Sequence, residues 1–145
     1  KEERHLYGCL LPDLPALAEF YLDVLAAESA EATATVIARL FSPALPKNEL
    51  LWFASEIVKL PRRHAADLLY NHCSLDWRDV IKTIRLPSLV VGAEASIFSA
   101  ESQRWIAAQI PGAAVEIFAA GEGGSHFMCY ENPVKFNALV EAFLA

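Results

Sequence analysis

Apolar residues recur at helical spacing through the first half of the chain and in short unbroken runs through the second, which predicts a different architecture for each half. Leu17, Phe20, Tyr21, Val24 and Leu25 form one helical stripe, with Asp13 placed to cap it and Pro15 in its first turn. Ser29 predicts the cap of a second helix carrying Val36, Ile37 and Leu40. Beyond Ser42-Pro43 and Pro46, Asn48 is expected to cap a third helix with Leu51, Trp52, Ile57 and Val58. Pro61 opens a fourth with Ala65, Leu68 and Leu69, and a short helical turn is expected from Asp76 to Ile81.

Leu86-Pro87-Ser88-Leu89-Val90-Val91-Gly92 then reads as a strand buried on both faces, as in a parallel sheet. Ser99 caps the helix that follows, with Trp105, Ile106 and Ile110, and Pro111-Gly112 ends it before a second strand at Ala114-Val115-Glu116-Ile117-Phe118. Strand, helix and strand in this succession predict a right-handed crossover. The segment Gly121 to His126 is too rich in glycine for regular structure, and Asn132-Pro133 opens a terminal helix with Phe136, Leu139, Val140 and Phe143 on one side. The expected organisation is a helical region over 1–82 and an α/β region over 83–145. A two-stranded parallel sheet needs further strands and cover on both faces. Its neighbours are expected from an N-terminal segment, a second chain or another copy.

Composition narrows the function classes. With 54% hydrophobic and 21% charged residues among 145, the chain is globular rather than disordered. A net charge of -6 without a basic run excludes a nucleic-acid or anionic-membrane surface, and a small neutral or apolar molecule fits better as a partner. No apolar run reaches the roughly 20 residues of a membrane span, and Lys1-Glu2-Glu3-Arg4 is unlike a secretory leader. Cys9, Cys73 and Cys129 are far apart and form no CxxC pair, so the reading is a reduced, cytoplasmic protein without disulfides, metal or cofactor. The chain opens on Lys1 and its only methionine is Met128, so its start is expected to be a cut, a processing site or an ordering limit.

The stretch with most chemical content is Gly123-Gly124-Ser125-His126-Phe127, between a strand and a capped helix. A loop there lies at the carboxyl edge of a parallel sheet, where open α/β folds place their sites. Glycines allow the backbone to turn sharply, and an imidazole titrates where proton transfer near neutrality needs it. His126 is therefore the candidate general base. His5 lies in the charged opening, and His64 and His72 are eight residues apart, too far for adjacent-turn metal ligands. Cys73 and Cys129 read as inert thiols, and Phe20, Tyr21, Trp52 and Phe53 as helix core.

Asp76-Trp77-Arg78, the run Ile84 to Gly92, Ile110-Pro111-Gly112-Ala113, the GGSHF loop and Glu131-Asn132-Pro133 occur in order and together resemble the C-terminal part of the α/β-hydrolase superfamily. The resemblance implies two parallel strands of a larger sheet with flanking helices, preceded by an all-helical cap over the active site. It gives His126 the role of catalytic base in a nucleophile–His–acid triad that hydrolyses a small, largely apolar ester or related substrate. In that family, the Gly-x-Ser-x-Gly nucleophile elbow lies upstream of the cap, and none occurs here. A missing N-terminal half or a second chain is expected to supply it, so the 145 residues alone should be inactive. The family often carries its acid as Asp just after the Gly-ended strand, where this chain has Gly92-Ala93-Glu94-Ala95-Ser96. Glu94 is one candidate acid, and a residue after an earlier strand outside the chain is the other. The absent Asp also allows a non-enzymatic reading, a hydrolase-derived binding or dimerisation module that forms a homo-oligomer.

Overall fold

The computed structural model describes residues 14–145, so Asp13, His5 and Cys9 lie outside it. The chain forms two compact units: the described residues up to Arg39 with Pro43–Asp76, and Trp77–Ala145 with Leu40–Ser42.

The first unit is helical, with α1 (Leu14–Ala26), α2 (Ala30–Ile37), α3 (Lys47–Ile57) and α4 (Arg62–Ser74). α1 lies against α4 and α2 against α3. Val24 is buried with Ala65 and Ala66, flanked by half-buried Tyr21, Leu25 and Leu69. The two alanines allow close approach of α1 to α4. The Tyr21 hydroxyl donates to Asp67 Oδ1 over 2.9 Å. Ser29 caps α2 as predicted, accepting from the Ala32 amide at 3.1 Å, and the buried Thr33 hydroxyl donates back to the Ala27 carbonyl at 3.1 Å.

Asn48 does not cap α3. The helix begins at Lys47 because extended Pro46 already offers its carbonyl to the amides of Glu49 and Leu50, at 3.0 and 3.1 Å. Trp52 is 54% exposed rather than core, since α3 buries Ala54; Tyr21 and Phe53 are half-buried. A depression of about 390 Å³ is lined by Asp23, Ala26, Ala27, Thr35 and Arg39 among others.

The second unit contains α5 (Arg78–Ile81), β1 (Leu89–Ala93), α6 (Ala100–Gln109), β2 (Ala114–Phe118), α7 (Met128–Glu131) and α8 (Pro133–Leu144). β1 and β2 pair in parallel, from Leu89 opposite Ala114 to Ala93 opposite Phe118. α6 makes the crossover and packs on both strands. Its approach explains Gly92, where a Cβ would lie 2.6 Å from Gln103 Cγ and 2.9 Å from Ile117 Cδ1. Ser99 caps α6 through the Ser102 amide at 3.1 Å, and Gly112, at φ 76°, turns the chain into β2. Asn132 accepts from the Lys135 amide at 3.1 Å and opens α8 with Pro133 at its start. Lys135 Nζ pairs with Glu116 and Glu122, each at 2.9 Å, and sits 4.5 Å from the centre of the fully buried Phe118 ring.

Three elements differ from expectation. α5 starts at Arg78 rather than Asp76, because the Trp77 carbonyl is the first to accept a helical bond, from Ile81 at 2.9 Å. β1 starts at Leu89, leaving Leu86 74% exposed. Leu89, Val90 and Val91 are half-buried rather than covered on both faces, since β2 is β1's one strand neighbour among the described residues. On α8, Phe136, Leu139 and Val140 are half-buried and Phe143 is exposed.

Candidate active site

β1 and β2 end side by side, and the turns leaving them are bonded to each other. The Glu94 amide donates to the Phe118 carbonyl and the Ala95 amide to the Gly124 carbonyl, both at 2.9 Å. After β2 the chain makes a 3-10 turn at Ala120–Glu122, a regular element where the glycine content predicts none. The Glu122 carboxylate stabilises it by accepting from the Ala119 amide at 3.2 Å. Gly123 follows in the left-handed region at φ 74°. A Cβ on Gly124 would lie 2.3 Å from the Ala119 carbonyl oxygen and 2.7 Å from that of Phe118, so only glycine fits. Ser125 is buried and accepts from the Phe127 amide at 3.2 Å, which bends the chain toward α7.

This tight path presents His126 at the carboxyl edge of the two strands. Its amide donates to the Leu40 carbonyl at 3.1 Å. Its ring is half-buried between Phe98 and Phe127, both edge-on, with centroids at 5.1 and 5.3 Å. Nδ1 lies 3.1 Å from Ser96 Oγ, and Oγ also accepts from the Phe98 amide at 3.2 Å. Burial holds the imidazole pKa below its ordinary 6.5, because desolvation disfavours the charged form.

Glu94 is not the partner of this histidine. Its carboxylate is directed to the Ala120 amide at 3.1 Å, and the place on Nδ1 belongs to Ser96, two residues further along the turn. His64 and His72 are exposed on α4, Cys73 is buried there and Cys129 is exposed on α7. Among the described residues no group of three or more His, Cys, Asp or Glu side chains could hold a metal ion.

Sequence reasoning missed two parts of the site. Ser96 stood in view as a residue near the expected acid, and its two-residue offset from Glu94 gave no signal of which side chain turns inward. Residues 40–42 read only as the end of the second helical stripe, at Leu40, and the break at Ser42-Pro43, with no sign of a part in the site. Leu40 receives the His126 amide, Phe41 stacks on Phe127 with centroids 4.8 Å apart and planes at 18°, and the Ser42 amide donates to Glu131 Oε1 at 2.9 Å. Glu131 Oε2 is buried without a hydrogen-bond partner.

No family model and no curated protein matches the sequence. Solved structures do. A hydrolase from Pseudomonas aeruginosa PA01 superposes with a TM-score of 0.74 at 23% identity, covering 95% of this chain and 52% of its own. The enol-lactonase from Burkholderia xenovorans LB400 gives 0.77 at 17%, covering 94% and 53%. An esterase from Exiguobacterium antarcticum gives 0.74 at 17%, covering 90% and 48%. The fold is that of α/β hydrolases. More specifically it is their C-terminal part, and the chain spans about half the length of the structures it matches.

Proposed function

We propose that these residues are the helical cap and C-terminal portion of an α/β-hydrolase-type enzyme that cleaves a small, largely apolar ester, with His126 as its general base. The observation that carries the reading is the presentation of His126 at the strand ends, on a loop whose shape demands Gly123 and Gly124. The enol-lactonase and esterase among the structural neighbours favour an ester as substrate class. The nucleophile belongs to a segment outside these 145 residues. Its hydroxyl gives its proton to His126 Nε2 as the oxygen attacks the ester carbonyl, and His126 passes that proton to the departing alcohol. Water then repeats the cycle on the acyl-enzyme, with His126 again taking and returning one proton. Backbone amides beside the nucleophile would hold the oxyanion.

One observation favours a second reading. The Nδ1 partner is a neutral hydroxyl rather than a carboxylate, which suits a hydrolase-derived binding module as well as a working triad. Hydrolysis of p-nitrophenyl butyrate by the whole protein separates the two. His126→Gln should lower kcat by about 10³-fold or more with little change in KM, the loss typical of a removed base. Equal turnover by the variant and wild type, or no turnover by wild type across a panel of short esters, would leave the binding module as the account.

A further inference from the structure

We propose that Ser96 is the positioning residue of His126, holding Nδ1 through a neutral hydroxyl so that Nε2 is turned outward as the base. The inference rests on the reading of His126 as base, and it names the group that orients the ring. Ser96 Oγ lies 3.1 Å from Nδ1. The hydroxyl is itself held in place, since Oγ accepts from the Phe98 amide at 3.2 Å and the Ser96 amide donates to the Ala93 carbonyl at 3.3 Å. The bond from Ala95 to Gly124 ties this turn to the histidine loop at 2.9 Å. Phe98 and Phe127, edge-on to the imidazole, remove its freedom to rotate away.

The chemistry of a hydroxyl completes the argument. Its oxygen has two lone pairs; one takes the Phe98 N–H, and the second is free for Nδ1–H. With the ring proton on Nδ1, Nε2 keeps its lone pair toward the site. When Nε2 takes a second proton, the Nδ1–H bond to Ser96 is unchanged, so the ring keeps one orientation through the proton transfers. A carboxylate would do the same and would also stabilise the imidazolium; Ser96 does only the first.

The ionisable groups on the neighbouring segments are Glu94, Glu122, Glu131 and Cys129, and of their oxygens Glu131 Oε2 alone is buried without a partner. Glu94 accepts from the Ala120 amide, Glu122 from Lys135 and Ala119, and Glu131 from the Ser42 amide, while Cys129 is exposed. Burial alone acts on the imidazole, downward.

The test is long-range 1H–15N correlation NMR of His126 across pH in the whole protein, for wild type, Ser96→Ala, Ser96→Thr and Ser96→Asp. Wild type should show one tautomer with the proton on Nδ1 and a midpoint below 6.5. Ser96→Ala should give averaged tautomer shifts and a kcat lower by about tenfold at unchanged KM, the worth of one neutral hydrogen bond. Ser96→Thr should restore the wild-type signature. Ser96→Asp should raise the midpoint by about one unit or more, and it supplies the measurement if the alanine variant does not fold.

Ring-nitrogen shifts and midpoint unchanged in Ser96→Ala would overturn the proposal. So would a wild-type midpoint above 6.5, which a carboxylate reaching Nδ1 from another segment would produce. These readouts need no turnover. An inactive protein with the predicted spectra would therefore refute the base role while leaving the Ser96 contact standing.

Discussion

A half-buried imidazole whose side-chain hydrogen-bond partner among the described residues is a hydroxyl ties stability to pH with a definite sign. Burial lowers the folded pKa of His126 below the 6.5 of the unfolded chain. Above 6.5 the ring is neutral in both states, and its full contribution to stability is present. As pH falls below that value the unfolded chain binds the proton first, so the contribution declines until the folded pKa is passed and stays lost below it. Urea unfolding of wild type and His126→Gln should therefore run parallel above pH 7, with wild type losing stability relative to the variant as the pH is taken to 5. A stability difference that grows in favour of wild type on acidification would contradict the lowered pKa.

Among the elements, the loop after β2 is the least tolerant of change. Ala119 and Phe118 carbonyls close over Gly124, and they are backbone, which cannot rotate out of the way. Gly124→Ala should cost about 1–3 kcal/mol, in the manner of an overpacked core, and should lower turnover with it. Gly121→Ala is the control, since nothing lies within 4 Å of the added carbon there. A Gly124→Ala variant with unchanged thermal midpoint would show that the loop has another path.

Local signals made most of this legible in the sequence. Ser29, Ser99 and Asn132 cap the helices they were expected to cap, and β2 spans the five residues read for it, because caps and strand breakers act within a few residues. What failed to show were features set by neighbours distant along the chain. The edge of β1 depends on its partner strand, Asn48 was displaced by the carbonyl of Pro46, and the choice of Ser96 over Glu94 depends on a loop 30 residues away. The contacts of Leu40–Ser42, up to 89 residues away in sequence, have no local pattern to read.

At the scale of the whole molecule, apolar surface remains uncovered. Leu86, Val134 and Leu144 are 74%, 82% and 76% exposed, and each strand has one neighbour among the described residues. Unpaired strand edges and apolar patches of this kind associate. The 145-residue chain on its own should bind a hydrophobic dye and sediment as larger species with rising concentration, and co-expression with a sheet-completing segment should suppress both. A dye-silent monomer at all concentrations would mean that these surfaces need no cover.

The helical unit is not one unbroken stretch ending at Asp76, because Leu40-Phe41-Ser42 belongs with the strands. Transplanting the helices from a relative as one block would remove the carbonyl under His126, the ring against Phe127 and the amide on Glu131 together. Grafts of the helical unit should instead be cut twice, replacing the residues up to Arg39 and the stretch Pro43–Asp76 separately around a retained tripeptide. Any exchange of the helical residues therefore meets the strand-bearing unit at a tripeptide in its midst, and two short replacements respect that knot where one long one cuts it.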